Sequence, residues 1–167
     1  MGLATKVANT VLLGAAFMLT ASAAAKDGVR DMVHEMVKVE SRDGKVLVRL
    51  TFDNQSEHTI YVPRSVASDK ELFGNYFEVR DSSNGDPLNY IGPMVKRGPL
   101  GKEDFLAVKP HTRHQNLIDI TDAYAFLPGR RAYQLHYSGH YVADLKKLDQ
   151  TTPVEPGATM FAHVGKQ

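Results

Sequence analysis

The chain has 167 residues, with 20 Lys and Arg against 19 Asp and Glu, and no cysteine. A formal net charge of +1 lacks the basic excess that phosphate neutralisation demands, so nucleic acid is excluded as the expected partner. The missing cysteines remove a disulfide framework, thiol nucleophiles, thiolate-bound zinc and a lipidated N-terminal cysteine.

The first stretch, "MGLATKVANTVLLGAAFMLTASAAAKDG", places Lys6 ahead of an apolar run from Val11 to Leu19 and then small residues. This pattern predicts a secretory signal peptide over residues 1–25, cleaved after Ala23 or Ala25. The run is about half of the ~20 residues that span a bilayer. No later stretch is long and apolar enough to span one, so no transmembrane segment is expected after cleavage. Lys6 is the only charge in the leader, and the remaining chain is formally neutral. Its length, roughly 140 residues, suits one domain that buries about two-thirds of its unfolded surface. The expected location is the periplasm or the medium.

Beyond the leader, short β-rich segments alternate with turn residues. "VHEMVKVE" is followed by Asp43-Gly44, a strong hairpin signal. In "KVLVRLTFDN", Val46, Val48, Leu50 and Phe52 fall on one face, which is the period of two of a half-buried strand. "NQSEHT" reads as a turn and "IYVP" as a short strand. "NYFEVRD" and "LNYIG" (88–92) read as two strands around Asn84-Gly85. "EDFLAVKP" and "HQNLIDI" form a further pair around Pro110, and "ITDAYAFL" has the composition for one helical turn before Pro128.

In "RAYQLHYSG", Ala132, Gln134 and His136 alternate with Tyr133, Leu135 and Tyr137. Short strands with turn signals about every ten residues predict an all-β fold, an antiparallel immunoglobulin-like β-sandwich. The sandwich is assigned to residues 26–140. Residues 141–167 are expected to be a C-terminal extension, either an edge strand near "TMFAHV" or a loose tail.

Several stretches invite a catalytic reading. His34-Glu35-Met36-Val37-Lys38 begins like His-Glu-x-x-His, but lysine occupies the second ligand position. A strand would also send His34 and Glu35 to opposite faces, whereas a zincin needs two imidazoles on one helical face. His111 and His114 stand three apart, and His136 and His140 four apart. These four offer a weak alternative metal site if the fold gathers them. Ser138 has no Gly-x-Ser-x-Gly elbow and no recognisable base. No catalytic residues and no cofactor are assigned.

The long connection "NYIGPMVKRGPLGKEDFLAVKP" (89–110) sets cations beside apolar residues and prolines. A loop of that length in a compact domain is often functional. Tyr90, Ile91, Met94, Lys96, Arg97 and Lys102 are therefore the candidate partner-binding residues.

From about residue 46 to residue 139 a further pattern enters. "VLVRLTFDNQSEHTIYV", "ELFGNYFEVRD", "YIGPMVKRGPLGKEDFLAVKP" and "NLIDITDAYAFLPGRRAYQLHY" occur in an order and spacing that matter more than any one of them. Together they resemble the N-terminal, non-catalytic, propeptide-like domain of bacterial deuterolysin-type (peptidyl-Lys) metalloendopeptidases. The resemblance implies a β-sandwich and a protein partner, a zinc metalloprotease that the domain would inhibit, escort or help fold. The family's catalytic motifs, His-Glu-x-x-His and Gly-Thr-x-x-x-x-Asp, are not in this chain. Pro110-His111 also departs from the Pro-Gly that many such sandwiches place at that turn.

The function expected is an exported, non-catalytic protein-binding domain. Two alternatives stand beside it: a small exported metal-binding protein or hydrolase using the loop histidines, and a structural or adhesive sandwich that self-associates through an exposed edge strand.

Overall fold

The computed structural model describes residues 32–96 and 98–166. The expected leader, residues 1–25, and Arg97 lie outside the described residues. Ten strands follow in chain order: β1 (Val33–Arg42), β2 (Lys45–Asn54), β3 (Ile60–Pro63), β4 (Phe77–Asp81), β5 (Phe105–Val108), β6 (Thr112–Asp119), β7 (Gly129–Tyr137), β8 (Gly139–Val142), β9 (Thr151–Val154) and β10 (Thr159–Gly165). One turn of helix, α1 (Arg64–Ala67), follows β3.

The strands form three sheets of antiparallel ladders, ordered β1-β2-β6, β10-β7-β4 and β5-β3-β8-β9. The first two reproduce the A-B-E and G-F-C orders of an immunoglobulin sandwich. The third is built from the segments between those strands. The fold is all-β, antiparallel and sandwich-like, as the alternation predicts.

Local chemistry sets the first hairpin. Asp43 (φ 51°) and Gly44 (φ 74°) both lie in the left-handed region that a two-residue type I′ turn requires. That turn fixes the pairing of Arg42 with Lys45, and the register runs on to Val33 with Asn54. Val46, Val48, Leu50 and Phe52 then all face the core, and none is accessible to solvent.

Across the layer, Tyr133, Leu135 and Tyr137 of β7 supply the opposing row, with Phe77 and Val79 of β4 and Phe161 of β10. Each such side chain contributes about 1.5–3 kcal/mol on burial. The same apolar cluster also takes in Ile60 and Val62 of β3 and Tyr141 of β8, so the third sheet shares the core.

Buried polar side chains join the pieces. Asn116 of β6 donates to the carbonyls of Val66 and Asp69 and accepts from Lys70 Nζ, which holds α1 against the sheet. Asn54, at the end of β2, donates to the carbonyls of His58 and Val108 while its Oδ1 accepts from Ser56.

Three expectations need correcting. "LNYIG" forms no ladder, only a single bridge of Tyr90 with Tyr124, after one of Pro87 with Arg80. Pro87 and Pro93 flank it and lack the N–H groups that a ladder would use. "ITDAYAFL" makes turns and a bridge in place of a helical turn; the short helix lies at Arg64–Ala67, where Asn116 binds its carbonyls. The sandwich also does not stop at residue 140, which falls inside β8. Thr159–Gly165 pairs along β7 as the edge strand of its sheet, and Pro153 sits in β9, the edge of the third sheet where a missing N–H is tolerated. Among the described residues no helix is long and apolar enough to cross a membrane.

Candidate functional site

The loop between β4 and β5 is built on a stack of tyrosines. Tyr124 is buried, and its hydroxyl donates to the Phe77 carbonyl at 2.6 Å and accepts from the Phe77 amide at 3.3 Å. Tyr90 meets the Tyr124 ring edge-on at 5.4 Å. Its own hydroxyl donates to the Pro93 carbonyl at 2.8 Å, with the Leu72 carbonyl 3.3 Å away. Burial pushes both phenols above their ordinary range, so both act as neutral donors at physiological pH.

The backbone repeats the same attachment. The amides of Ile91 and Gly92 donate to the Ala123 carbonyl, Ala125 to that of Asn89, and Val95 to that of Phe73. The foot of the loop is therefore fastened to the sandwich.

The side chains that this frame presents are apolar and unprotected. Ile91 is 62 % exposed and Met94 77 %, and Val95 and Leu100 are exposed beside them. Lys96 and Lys102 are exposed in the same segment, and Asp104 closes its end by accepting from the Gly101 amide at 2.8 Å. Of the residues expected to bind a partner, Ile91, Met94, Lys96 and Lys102 thus stand on the surface. Tyr90 serves instead as the anchor that shapes the loop. Val95 and Leu100 belong with the exposed set and were legible only as ordinary loop residues.

Ile91 also lines a hollow of about 260 Å³ with Tyr124, Phe126, His163 and Lys166. His163 is buried, lies 4.9 Å from the Phe126 ring centre, and has its Nδ1 2.9 Å from Ser41 Oγ. Burial lowers its pKa and favours the neutral imidazole.

The four histidines offered as an alternative metal site are not brought together. His111 is exposed at the Pro110 turn, 3.0 Å from Glu57 Oε1. On β6, in the first sheet, His114 donates from Nε2 to the Ala67 carbonyl at 2.6 Å. His136 lies on β7 in the second sheet, and His140 on β8 in the third. Among the described residues no group of three or more metal-ligating side chains forms.

His136 Nε2 does come within 3.4 Å of Ser138 Oγ, in a hollow of about 420 Å³ that Tyr76, Glu78 and Leu88 also line. Glu78 faces His136 across the β4–β7 register, but its carboxylate pairs with Arg80. The third member of a triad is therefore engaged elsewhere.

The sequence separated Glu35 from His34 by face but did not show that the acid is buried. β1 alternates as a strand must, so His34 is exposed and Glu35 is buried. Glu35 is 6 % exposed, and neither carboxylate oxygen has a hydrogen-bond partner. The signal was present in "VHEMVKV", where Glu35 shares a face with Val33 and Val37. Only Gly139 and Tyr137, laid against it from outside its sheet, make that face interior.

No protein-family model matches the chain, and no curated protein matches it. Among solved structures it is similar to a penta-heme cytochrome c552 from Thermochromatium tepidum, at 12% identity and a TM-score of 0.36. The match covers 82% of this chain and 41% of that one, so this chain spans less than half of that protein's length. A likeness of that size bears on neither fold nor function.

Proposed function

We propose that this chain is a protein-binding sandwich module, exported and without catalysis of its own, whose contact surface is the loop between β4 and β5. The observation that carries this reading is the exposure of Ile91, Met94, Val95 and Leu100 on a loop whose foot is held by Tyr90 and four backbone bonds. Exposed apolar groups cost solubility unless something covers them, and their concentration in one segment favours a partner. A fastened loop also loses little conformational entropy on binding. Lys96 and Lys102 favour an acidic rim on the partner, acting mainly on encounter rate and orientation. The resemblance to protease propeptide-like domains adds a partner class, a zinc endopeptidase.

The test begins with the processed protein, tagged at its C terminus and used as bait among the exported proteins of its own organism. The expected outcome is retention of a zinc endopeptidase whose activity changes when the module is added. Ile91→Asp with Met94→Asp should abolish retention. Retention unaffected by those changes, but lost with Met160→Asp and Val164→Asp on the outward face of β10, would transfer the site to that edge strand and support the adhesive alternative.

A further inference from the structure

Glu35 occupies the third position of an edge strand, on its core-facing side. Across the register it faces Phe52, which is fully buried. From the opposing layer it meets Gly139, and Tyr137 lies against the same glycine. An ionised carboxylate has no stable place there, because removal from water without a hydrogen-bond partner costs several kcal/mol.

No cation among the described residues compensates it. Among the described residues, β1 sends His34 and Lys38 to the outer face, and Asp53 of β2 is held by Arg113 at 2.5 Å. Opposite, β7 contributes Tyr137, whose phenol is pushed up by burial and then by the charge of Glu35. β8 contributes half-buried His140, whose pKa burial lowers. β10 approaches through Thr159, which donates to the Val37 carbonyl at 3.1 Å. Burial alone raises the Glu35 carboxyl to about 8.

The strand offers the carboxylate a way out. β1 has no ladder partner beyond β2, and Glu35 lies near its beginning. Releasing residues 33–36 breaks the register pairs from Val33–Asn54 to Met36–Thr51, with the Gln55 amide's bond to the Met32 carbonyl, and exposes Val33, a small disruption next to global unfolding.

We propose that Glu35 is a proton-operated latch on β1: protonated, it allows residues 33–36 to dock on the core, and ionised, it drives that segment off β2 into solvent. The device is independent of the loop between β4 and β5, which lies on another part of the chain.

The sign follows from linkage. The unfolded carboxyl titrates near 4.5 and the docked one near 8. The contribution of Glu35 to docking is complete below pH 4.5 and is lost as the pH rises to about 8.

Amide hydrogen exchange of the full protein, normalised for intrinsic chemical rates and followed from pH 6 to pH 9, tests the latch. Protection of amides 33–37 should fall at least tenfold across that range in the wild type, to nearly none, and stay level in Glu35→Gln, while β2, β6 and β7 remain strongly protected at pH 9. Glu35→Met, which also removes the charge, should behave like Glu35→Gln and serves if the latter folds poorly. Equal pH dependence in wild type and variants overturns the proposal, as does a carboxyl-carbon NMR titration of Glu35 near 4.5. A segment 33–37 that stays as protected as β2, β6 and β7 up to pH 9 would also overturn it, since the group would then govern global unfolding only.

Discussion

Glu35 fits beneath β8 because residue 139 is a glycine. A Cβ at that position would overlap Oε2 of Glu35 and stand 2.7 Å from Cε1 of Tyr137. The φ of Gly139 is not in the left-handed region, so close approach is the reason for glycine there. Gly139→Ala should destabilise the protein by about 1–3 kcal/mol through overpacking. Glu35→Ala should recover part of that loss, giving a non-additive double-mutant cycle in urea unfolding. Additive effects would mean that the two residues do not share the space.

Global stability should carry the same titration. Between pH 4.5 and about 8, Glu35 binds a proton in the folded state that it releases on unfolding, so stability falls as pH rises. The whole effect is at most roughly 5 kcal/mol, at 1.36 kcal/mol per pH unit of separation. Glu35→Gln should flatten this part of the profile and gain on the wild type at pH 8. Parallel curves for the two proteins in denaturant titrations would contradict it.

Asn116 satisfies three groups at once, and its amide cannot be replaced by packing. Asn116→Ala leaves the carbonyls of Val66 and Asp69 without that donor, and should cost about 1–3 kcal/mol. The unfolding midpoint should move while the m-value stays constant.

The Pro110 turn holds a side chain where glycine is easier. His111 has φ 52° and is exposed, and its pairing with Glu57 is a surface contact of little worth. His111→Gly should stabilise the protein by up to about 1 kcal/mol by removing the left-handed penalty. A drop in melting temperature would show that the Glu57 contact outweighs it.

Tyr90 and Met94 should separate shape from contact in the loop. Met94→Asp should change stability by less than about 0.5 kcal/mol, because the side chain stands in water, while binding fails. Tyr90→Phe removes the donor to Pro93 and should cost about 0.5–1.5 kcal/mol and weaken binding indirectly. Equal stability losses from both changes would contradict the division of roles.

What the sequence determined by itself was local. Asp43-Gly44 specified a type I′ turn because a two-residue hairpin demands positive φ at both positions, and the turn then set ten residue pairs of β1 with β2. The alternation in β7 placed Tyr133, Leu135 and Tyr137 together on one face. Tertiary structure decided the rest. His163 reaches Ser41 across 122 residues, and "LNYIG" met Tyr124 in a single bridge where a ladder was expected. Period two states which residues share a face, but not which face becomes interior or what lies across it. For that reason Tyr90 looked like a contact residue and became an anchor. For the same reason Glu35, one strand position from an exposed histidine, became a buried acid only when Phe52 and Gly139 closed around it.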